Sequence, residues 1–466
     1  MKLPESFIAT MKGLLNDEYV DFEQALEQEP SVSIRINKNK MALPGTLKSV
    51  PWCSTGFYLS ERPAFTFDPR FHAGNYYVQE ASSMFVEQII NTYIDSPVRY
   101  LDLCAAPGGK TTLAISTLPE GSLIVANEID RKRCNILSEN ITKWGNPYTI
   151  VTNNGSEHFA ELEHYFDVIL CDVPCSGEGM FRKDENAIDE WSVANVENCV
   201  ARQKMIIDNI NHSLRPGGIL IYSTCTYNIH ENEEMIEYIR QNIDAEVLEI
   251  KTSPEWGIHK PLSGNNPVYR FMPHTTKGEG LFIAVLRKNS EEEPTSRDYI
   301  LKSINKADNK KGKNQTIQVP ASVKNYISNN NIFEFSATAD SVVAMPKKYA
   351  DDFKALSKAL RVVSSGIEIA NFKGKDIIPA HSLALSTYIN KDEFEIANVD
   401  RNTALSFLRR EAITLSEDIN KGYVLICYDD SPIGWVKNLG NRSNNLYPQE
   451  WRIRSGFTPE NLELGF

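Results

Sequence analysis

At 466 residues the chain is too long for one hydrophobic core and reads as roughly two to four domains. Forty-one per cent hydrophobic residues, a mean hydropathy of -0.35 and no apolar run of membrane-spanning length describe a soluble globular protein. The net charge of -12 argues against nonspecific coating of nucleic acid but leaves room for local basic surfaces, and eight cysteines without C-x-x-C spacing exclude a disulfide framework. Cys171 and Cys175 lie close together, yet no second pair or histidine cluster completes a metal site. The N-terminus, M-K-L-P-E-S-F-I-A-T, carries no signal-peptide core, so the cytoplasm is the expected compartment.

Residues 4–28 place Phe7, Met11, Leu14, Leu15, Phe22, Ala25 and Leu26 at helical spacing. Residues 31–37 alternate as a strand, 51–59 form a second extended piece, and Pro44 and Gly45 mark a turn between them. A small α+β domain over 1–75 is predicted, with Arg35, Lys38, Lys40 and Lys48 as a basic stretch for RNA. Residues 77–90, Y-V-Q-E-A-S-S-M-F-V-E-Q-I-I, have the spacing of an amphipathic helix.

From 76 to 288 short apolar runs at 98–103, 122–127, 148–152, 166–172, 218–223, 245–249 and 281–287 alternate with helical patterns near 111–118, 131–143, 195–214 and 230–242. That alternation predicts a Rossmann-like, doubly wound parallel sheet whose last strand, after G-E-G, is an antiparallel edge. Residues 289–370 read as a polar connector with a small mixed α/β domain, and the tract at 302–313 holds five lysines against one aspartate. Residues 371–466 form a β-rich unit with strand-like runs at 376–378, 422–428 and 434–437. Its close, N-R-S-N-N-L-Y-P-Q-E-W-R-I-R, follows Lys437 and mixes Arg442, Trp451, Arg452 and Arg454 with amides, a composition suited to phosphates and base faces.

The chain's chemistry centres on Y-L-D-L-C-A-A-P-G-G-K-T-T, from Tyr100 to Thr112. A buried strand runs into the small-residue turn Ala105, Ala106, Pro107, Gly108 and Gly109, and a helix follows, which brings backbone N–H groups close to a ligand. Glu128 stands about 20 residues beyond the turn, where a nucleotide-binding unit accepts from ribose hydroxyls. Gly109, Lys110 and Thr111 supply the second half of a phosphate loop, but Cys104 occupies its first glycine position. An adenosine-type cofactor without a triphosphate fits better. Two cysteines stand at strand ends: Cys175, in D-V-P-C-S-G-E-G with Asp172, and Cys225, in S-T-C-T. Ligands of open α/β sheets bind outside the carboxyl ends of the strands, so these groups converge on one crevice. Cys104, Cys134, Cys171, Cys199 and Cys427 read as packing residues.

These motifs, with F-H-A-G-N-Y-Y-V-Q-E-A-S-S-M and G-E-G-M-F-R-K-D-E-N-A-I-D-E-W-S, resemble those of RNA (cytosine-5) methyltransferases of the Nol1/Nop2/Sun family. The likeness is to the bacterial RsmF/YebU-like branch that modifies 16S ribosomal RNA, and it spans the chain, including a PUA-like RNA-binding end. It implies S-adenosylmethionine as cofactor, held by Cys104–Lys110 through the turn and by Glu128 at the ribose, with Asn154 and Asp172 near the adenine and methionine ends. Asn154 stands where the family usually has an aspartate that accepts from the adenine amino group; an amide oxygen can also accept. The resemblance assigns Cys225 as the nucleophile at C6 of cytosine, Asp172 as the partner of N3, and Cys175 as the residue that helps elimination. It implies a monomer acting on 16S ribosomal RNA or the small ribosomal subunit. The same chemistry on transfer RNA and a non-catalytic ribosomal RNA-binding assembly factor are the alternatives.

Overall fold

The computed structural model describes residues 2–289, 301 and 318–457; the lysine-rich tract at 302–313 lies outside them. The chain opens with α1 (Glu5–Leu15) and α2 (Tyr19–Leu26), whose buried faces carry Phe7, Met11 and Phe22. Strands β1 (Val32–Ile36), β2 (Lys48–Ser49), β3 (Gly56–Leu59) and, after α3 (Pro69–Ala73), β4 (Tyr76–Val78) form an antiparallel sheet in the order β2-β3-β1-β4.

The helix predicted over 77–90 begins later than its apolar spacing suggests. Tyr76–Val78 pairs with β1, and a 3-10 turn at Ser82–Phe85 leads into α4 (Val86–Tyr93). Glu80 is the physical reason: its carboxylate accepts from the backbone N–H groups of Ser82 and Ser83, both at 2.9 Å. Those bonds start the helical turn at Ala81 rather than at Tyr77. The first sheet therefore includes β4 and reaches past the boundary drawn at 75.

The second sheet has nine strands. Its parallel centre consists of β5 (Arg99–Asp102), β6 (Leu123–Asn127), β7 (Thr149–Thr152), β8 (Phe166–Asp172) and β9 (Leu214–Thr224). Three antiparallel strands complete one side: β10 (Ala245–Val247), β11 (Tyr269–Phe271) and β12 (Leu281–Lys288). The order is β10-β12-β9-β8-β5-β6-β7, with β11 on β12. The predicted antiparallel strand is present, but β10 and β11 pair with it, so β12 is interior, and the run at 245–249 is antiparallel rather than parallel. Helices α5 (Gly109–Thr117), α6 (Arg131–Trp144), α8 (Val193–Ile210, after the short α7, Glu185–Glu190) and α9 (Glu233–Ile243) flank the sheet. Strand β8, F-D-V-I-L-C-D, is buried on both faces except at its last residue, as expected for a parallel strand between helix layers. Strand order reverses between β5 and β8, and a crevice opens there outside the carboxyl ends.

The C-terminal half is not organised as drawn from composition. Strands β13 (Phe333–Ala337), β14 (Ser341–Pro346), β16 (Ile367–Lys373) and β17 (Asp376–Pro379) make one antiparallel sheet. Strand β15 (Val362–Ser365) leaves it and adds antiparallel to β7, closing the edge of the nine-stranded sheet. The preceding helix, Ala350–Ala359, contributes Leu356 to the core beneath that sheet. Its Asp352 lies 2.5 Å from Arg99 Nε and accepts from the Tyr165 hydroxyl at 2.7 Å, all buried. The boundary drawn at 370/371 falls inside β16. Strands β18 (Glu395–Asn398), β19 (Gly422–Tyr428), β20 (Ser431–Asn438) and β21 (Ser443–Asn445) form the last sheet, which shares Leu425, Cys427 and Trp435 with the core of the sheet before it. No helix among the described residues is long and apolar enough to cross a membrane.

Candidate active site

The turn after β5 is held from α6. Ala105 and Ala106 pack on Cys134, Leu137 and Ile141. Arg133 Nη2 donates to the Ala106 carbonyl at 2.7 Å, and Asn140 Nδ2 donates to that of Pro107 at 2.8 Å. Gly108 has φ +112, and a Cβ there would sit 3.3 Å from Leu137, so the position needs glycine in both conformation and space. No side chain caps the N-terminus of α5 at this point. Cys104 is half-buried in the turn, and desolvation holds its thiol well above the ordinary value, so it packs as a neutral group.

From the N-terminal sheet, Arg35 supports the same turn. Its guanidinium donates to Gln79 Oε1 at 2.7 Å and to Thr112 Oγ1 at 2.5 Å, and stacks 4.5 Å from the Trp144 ring. The sequence marked Arg35 as a surface cation for RNA. Its fully buried position assigns it to packing against the cofactor turn instead. Lys40, half-buried, donates to the carbonyls of Ala73 and Lys143 at 2.8 and 2.6 Å.

Two carboxylates at strand ends keep an unpaired oxygen. Glu128 is 2% exposed; its Oε1 accepts from Asp130 N at 2.9 Å, while Oε2 has no hydrogen-bond partner and lies 3.5 Å from the exposed Arg133 guanidinium. Asp102 Oδ2 accepts from Thr111 Oγ1 at 2.6 Å, and Oδ1 is buried without a partner. Burial pushes the Asp102 carboxyl up to about 7, against the Thr111 hydrogen bond. A buried acceptor without a donor is costly and points to a group that arrives from outside. Hydroxyl and ammonium donors of an adenosine-type cofactor fit both oxygens. Sequence reasoning quoted Asp102 within its motif without singling it out; the available signal was an acid ending an otherwise apolar strand.

Across the crevice, Lys110 Nζ donates to Asp172 Oδ2 at 2.8 Å and Ser223 Oγ donates to Asp172 Oδ1 at 2.7 Å. Burial alone would lower the Lys110 pKa, but the charge and hydrogen bond of Asp172, with a contribution from Cys225, hold it above the ordinary value. Cys175 and Cys225 follow β8 and β9 with their sulfurs 3.2 Å apart, and the Cys225 backbone N–H donates to Cys175 Sγ at 3.3 Å. The hydrogen bond with Cys225, reinforced by burial, holds the Cys175 thiol well above its ordinary value. Cys175 therefore keeps its proton beside Cys225.

Residues with no sequence signal hold this pair. Glu231 accepts from Ser176 N at 3.0 Å, Ser176 Oγ at 2.5 Å, Gln203 Nε2 at 2.8 Å and Asn228 Nδ2 at 2.7 Å. Glu178 accepts from the backbone N–H groups of Tyr227 and Asn228 at 2.7 and 2.9 Å and from Trp191 Nε1 at 3.0 Å. The loops after the two cysteines are thus tied together by buried acids that look like surface charges in the sequence.

Two expected contacts differ. The Asn154 carboxamide is bonded to the Arg361 backbone, its Oδ1 accepting from N–H at 3.0 Å, so that oxygen is already engaged. Trp451 is half-buried, with its ring 5.1 Å from that of His381 and 5.5 Å from Lys143 Nζ, whereas Arg442, Arg452 and Arg454 are exposed. The tryptophan packs against His381 and Lys143 on one side and lines a cavity on another.

Family models for "16S rRNA methyltransferase RsmB/F", the "N-terminal domain of 16S rRNA methyltransferase RsmF" and the "Methyltransferase RsmF PUA domain" match residues 95–287, 3–81 and 394–453. The ribosomal RNA small subunit methyltransferase F of Cronobacter sakazakii is 30% identical, with 97% of each chain covered. That of Erwinia tasmaniensis is 29% identical over 97% of each. A solved methyltransferase homologue from Pyrococcus horikoshii is 29% identical, with a TM-score of 0.53, and the match covers 61% of this chain and 95% of that one. Matched along nearly its whole length, with the strand-end acids and the turn in place, the chain belongs to the RsmF family of ribosomal RNA methyltransferases.

Proposed function

We propose that the protein methylates C5 of cytidine in 16S ribosomal RNA through a covalent bond between Cys225 and C6. The observation that carries this reading is the pair of thiols 3.2 Å apart at the carboxyl ends of β8 and β9. Cytosine C5 is a poor nucleophile, and a sulfur added at C6 converts the ring into an enamine that can attack through C5. S-Adenosylmethionine, when bound, supplies an electrophilic methyl group. The turn Cys104, Ala105, Ala106, Pro107, Gly108, Gly109 and Lys110 would hold it, with Glu128 at the ribose and Asp102 toward an amino group.

Cys225 gives up its thiol proton to solvent, its Sγ gives an electron pair to C6, and density moves toward N3; C5 of the resulting enamine would then take the methyl group that the cofactor supplies. The proton that N3 takes up is held by the Lys110–Asp172 pair, in which the ammonium carries it. Once Cys225 is a thioether, it no longer imposes on Cys175 the interaction that contributes most to keeping that thiol protonated. Cys175 then releases its proton to solvent and takes the proton from C5. The C5–C6 double bond reforms as the C6–S bond breaks, Cys225 leaves as the thiolate, and N3 returns its proton to Lys110. The names of the relatives and the match to a PUA domain support ribosomal RNA as the substrate, and exposed Arg442, Arg452 and Arg454 suit phosphate contact.

The two thiols fail differently when removed. Cys225→Ala abolishes both methyl transfer and attachment to RNA. Cys175→Ala accumulates a protein–RNA adduct that survives denaturing electrophoresis and requires S-adenosylmethionine and Cys225. An adduct that builds up in Cys225→Ala and requires Cys175 reverses the roles. Methylation of transfer RNA but not 16S RNA by the wild type removes the substrate assignment.

A further inference from the structure

Four strand ends line the side of the crevice where Glu128 stands, and two asparagines join them. Asn127, closing β6, donates from Nδ2 to the Leu103 carbonyl at 3.0 Å and to the Asn154 carbonyl at 2.9 Å. Its Oδ1 accepts from Asn154 N at 3.0 Å and from Thr152 Oγ1 at 2.9 Å. Asn154, just beyond β7, continues the chain to Arg361, the residue before β15. Its Oδ1 accepts from Arg361 N at 3.0 Å, and its Nδ2 donates to the Arg361 carbonyl at 3.4 Å. Asn153 adds a backbone bond to the same carbonyl at 3.0 Å, and its side chain donates to the carbonyl of Glu128 at 2.7 Å. The links run without a break from the turn after β5 to a segment 207 residues beyond Asn154.

We propose that Asn154 is a positioning residue: it ties Arg361 and β15, contributed by the C-terminal half, to the rim of the cofactor pocket, so that cofactor affinity depends on this tie. The inference rests on the cofactor reading given above. A carboxamide suits the task because it offers one acceptor and one donor to the backbone N–H and carbonyl of a single residue. An aspartate would accept from the Arg361 N–H but turn its second oxygen toward the Arg361 carbonyl, acceptor against acceptor. The residue type that departs from the family's usual aspartate is thus the one this contact requires, and Asn154 is 7% exposed with both side-chain atoms engaged. The adenine end is then shaped by backbone that Asn154 holds rather than by Asn154 itself.

Asn154→Asp in the full-length protein separates the two roles. If the side chain accepted from the adenine amino group, a carboxylate would bind the cofactor as well or better. As a tie, the carboxylate weakens S-adenosylmethionine binding about tenfold at pH ~8, the scale of one buried polar mismatch. Lowering the pH restores binding, because the protonated carboxyl donates to the Arg361 carbonyl as the amide did; burial raises the pH at which this happens above the ordinary value near ~4. The titratable groups nearby include Glu128, Cys134, the Arg361 guanidinium and Glu157, whose carboxylate lies against Gly155. Cys134 is pushed up to about 11, mainly by burial, and stays neutral. Variant and wild type are therefore compared as a ratio of Kd at each pH, which cancels what these groups and Asp102 contribute to both.

Hydrogen exchange reads the tie directly. Asn154→Ala should speed exchange of the Arg361 amide, and S-adenosylmethionine should slow it in the wild type. A Kd ratio near one at every pH, or Arg361 exchange indifferent to Asn154→Ala, overturns the proposal while wild-type binding leaves the cofactor reading standing. A wild type that binds no S-adenosylmethionine overturns both.

Discussion

Buried acids in this protein fall into two groups. Glu233 and Glu231 are saturated: Glu233 takes both arms of Arg270 and the backbone N–H of Leu262, and Glu231 takes Ser176 N and Gln203 on one oxygen and Ser176 Oγ and Asn228 on the other. Asp102 and Glu128 are equally buried but each leaves an oxygen without a donor. Burial is therefore not what separates a structural acid from a binding one; the missing partner is. Saturated acids hold the chain in the absence of anything else. The other two cost stability until something arrives.

Removing a saturated acid should have the largest effect. Glu233→Ala strands the guanidinium of Arg270, which is 1% exposed, and should cost about 3–5 kcal/mol in urea unfolding. Cofactor affinity per folded molecule should not change. A loss below ~1 kcal/mol would erase the distinction.

Next in size is a pH effect. The Asp102 carboxyl sits at about 7 in the folded protein, mainly through burial, whereas in the unfolded chain it titrates near ~4. The folded state keeps a proton that the unfolded state has lost. Its contribution is fully present below ~4 and is lost as pH rises toward 7, a decline on the order of 4 kcal/mol. Asp102→Asn should flatten that slope in the ligand-free protein, and the same slope in the variant and the wild type would place the proton elsewhere.

Glu128→Gln sharpens the contrast from the other side. Its second oxygen meets only the exposed Arg133 guanidinium at 3.5 Å, a contact worth little, so the unfolding midpoint should hold or rise slightly while S-adenosylmethionine binding weakens about tenfold by calorimetry, or ~1–2 kcal/mol. A midpoint that falls with unchanged affinity would move Glu128 into the saturated group. The smallest effect is expected at the surface: Arg452→Ala or Arg454→Ala should each lower RNA affinity a few-fold and reduce the salt slope by about one. A salt slope unchanged by both would take this face out of RNA contact.

What the sequence disclosed follows the same division. That residues 104–110, Glu128, Asp172, Cys175 and Cys225 stand at the ends of adjacent strands was legible because each closes or follows a short apolar run. Strand β8 was legible because both its faces are covered and its run is apolar. Residues 77–90 misled because their apolar spacing ignores Glu80, whose carboxylate starts the turn later. The boundary at 370/371 was drawn from composition, and composition does not reveal that β15 pairs with β7. Glu231 was invisible because an acid in H-E-N-E-E gives no sign that four donors surround it. The Asn154 contact was beyond reach for another reason: its partner is a peptide backbone, which no side-chain pattern encodes.

The pairing of Arg99 with Asp352 also sets a clock on the protein's birth. The two residues are 253 positions apart. At about 5–20 residues per second a ribosome needs roughly 10–50 s to reach the second after the first. During that interval β5 has left the ribosome while its cation lacks its counter-charge, and the outer edge of β7 lacks the strand that covers it. A nascent chain in this state exposes an open sheet edge of the kind that pairs with neighbours. The methyltransferase sheet is complete only when residue 365 has emerged, so a message cut short before that codon yields a sheet with a bare edge rather than a smaller working enzyme.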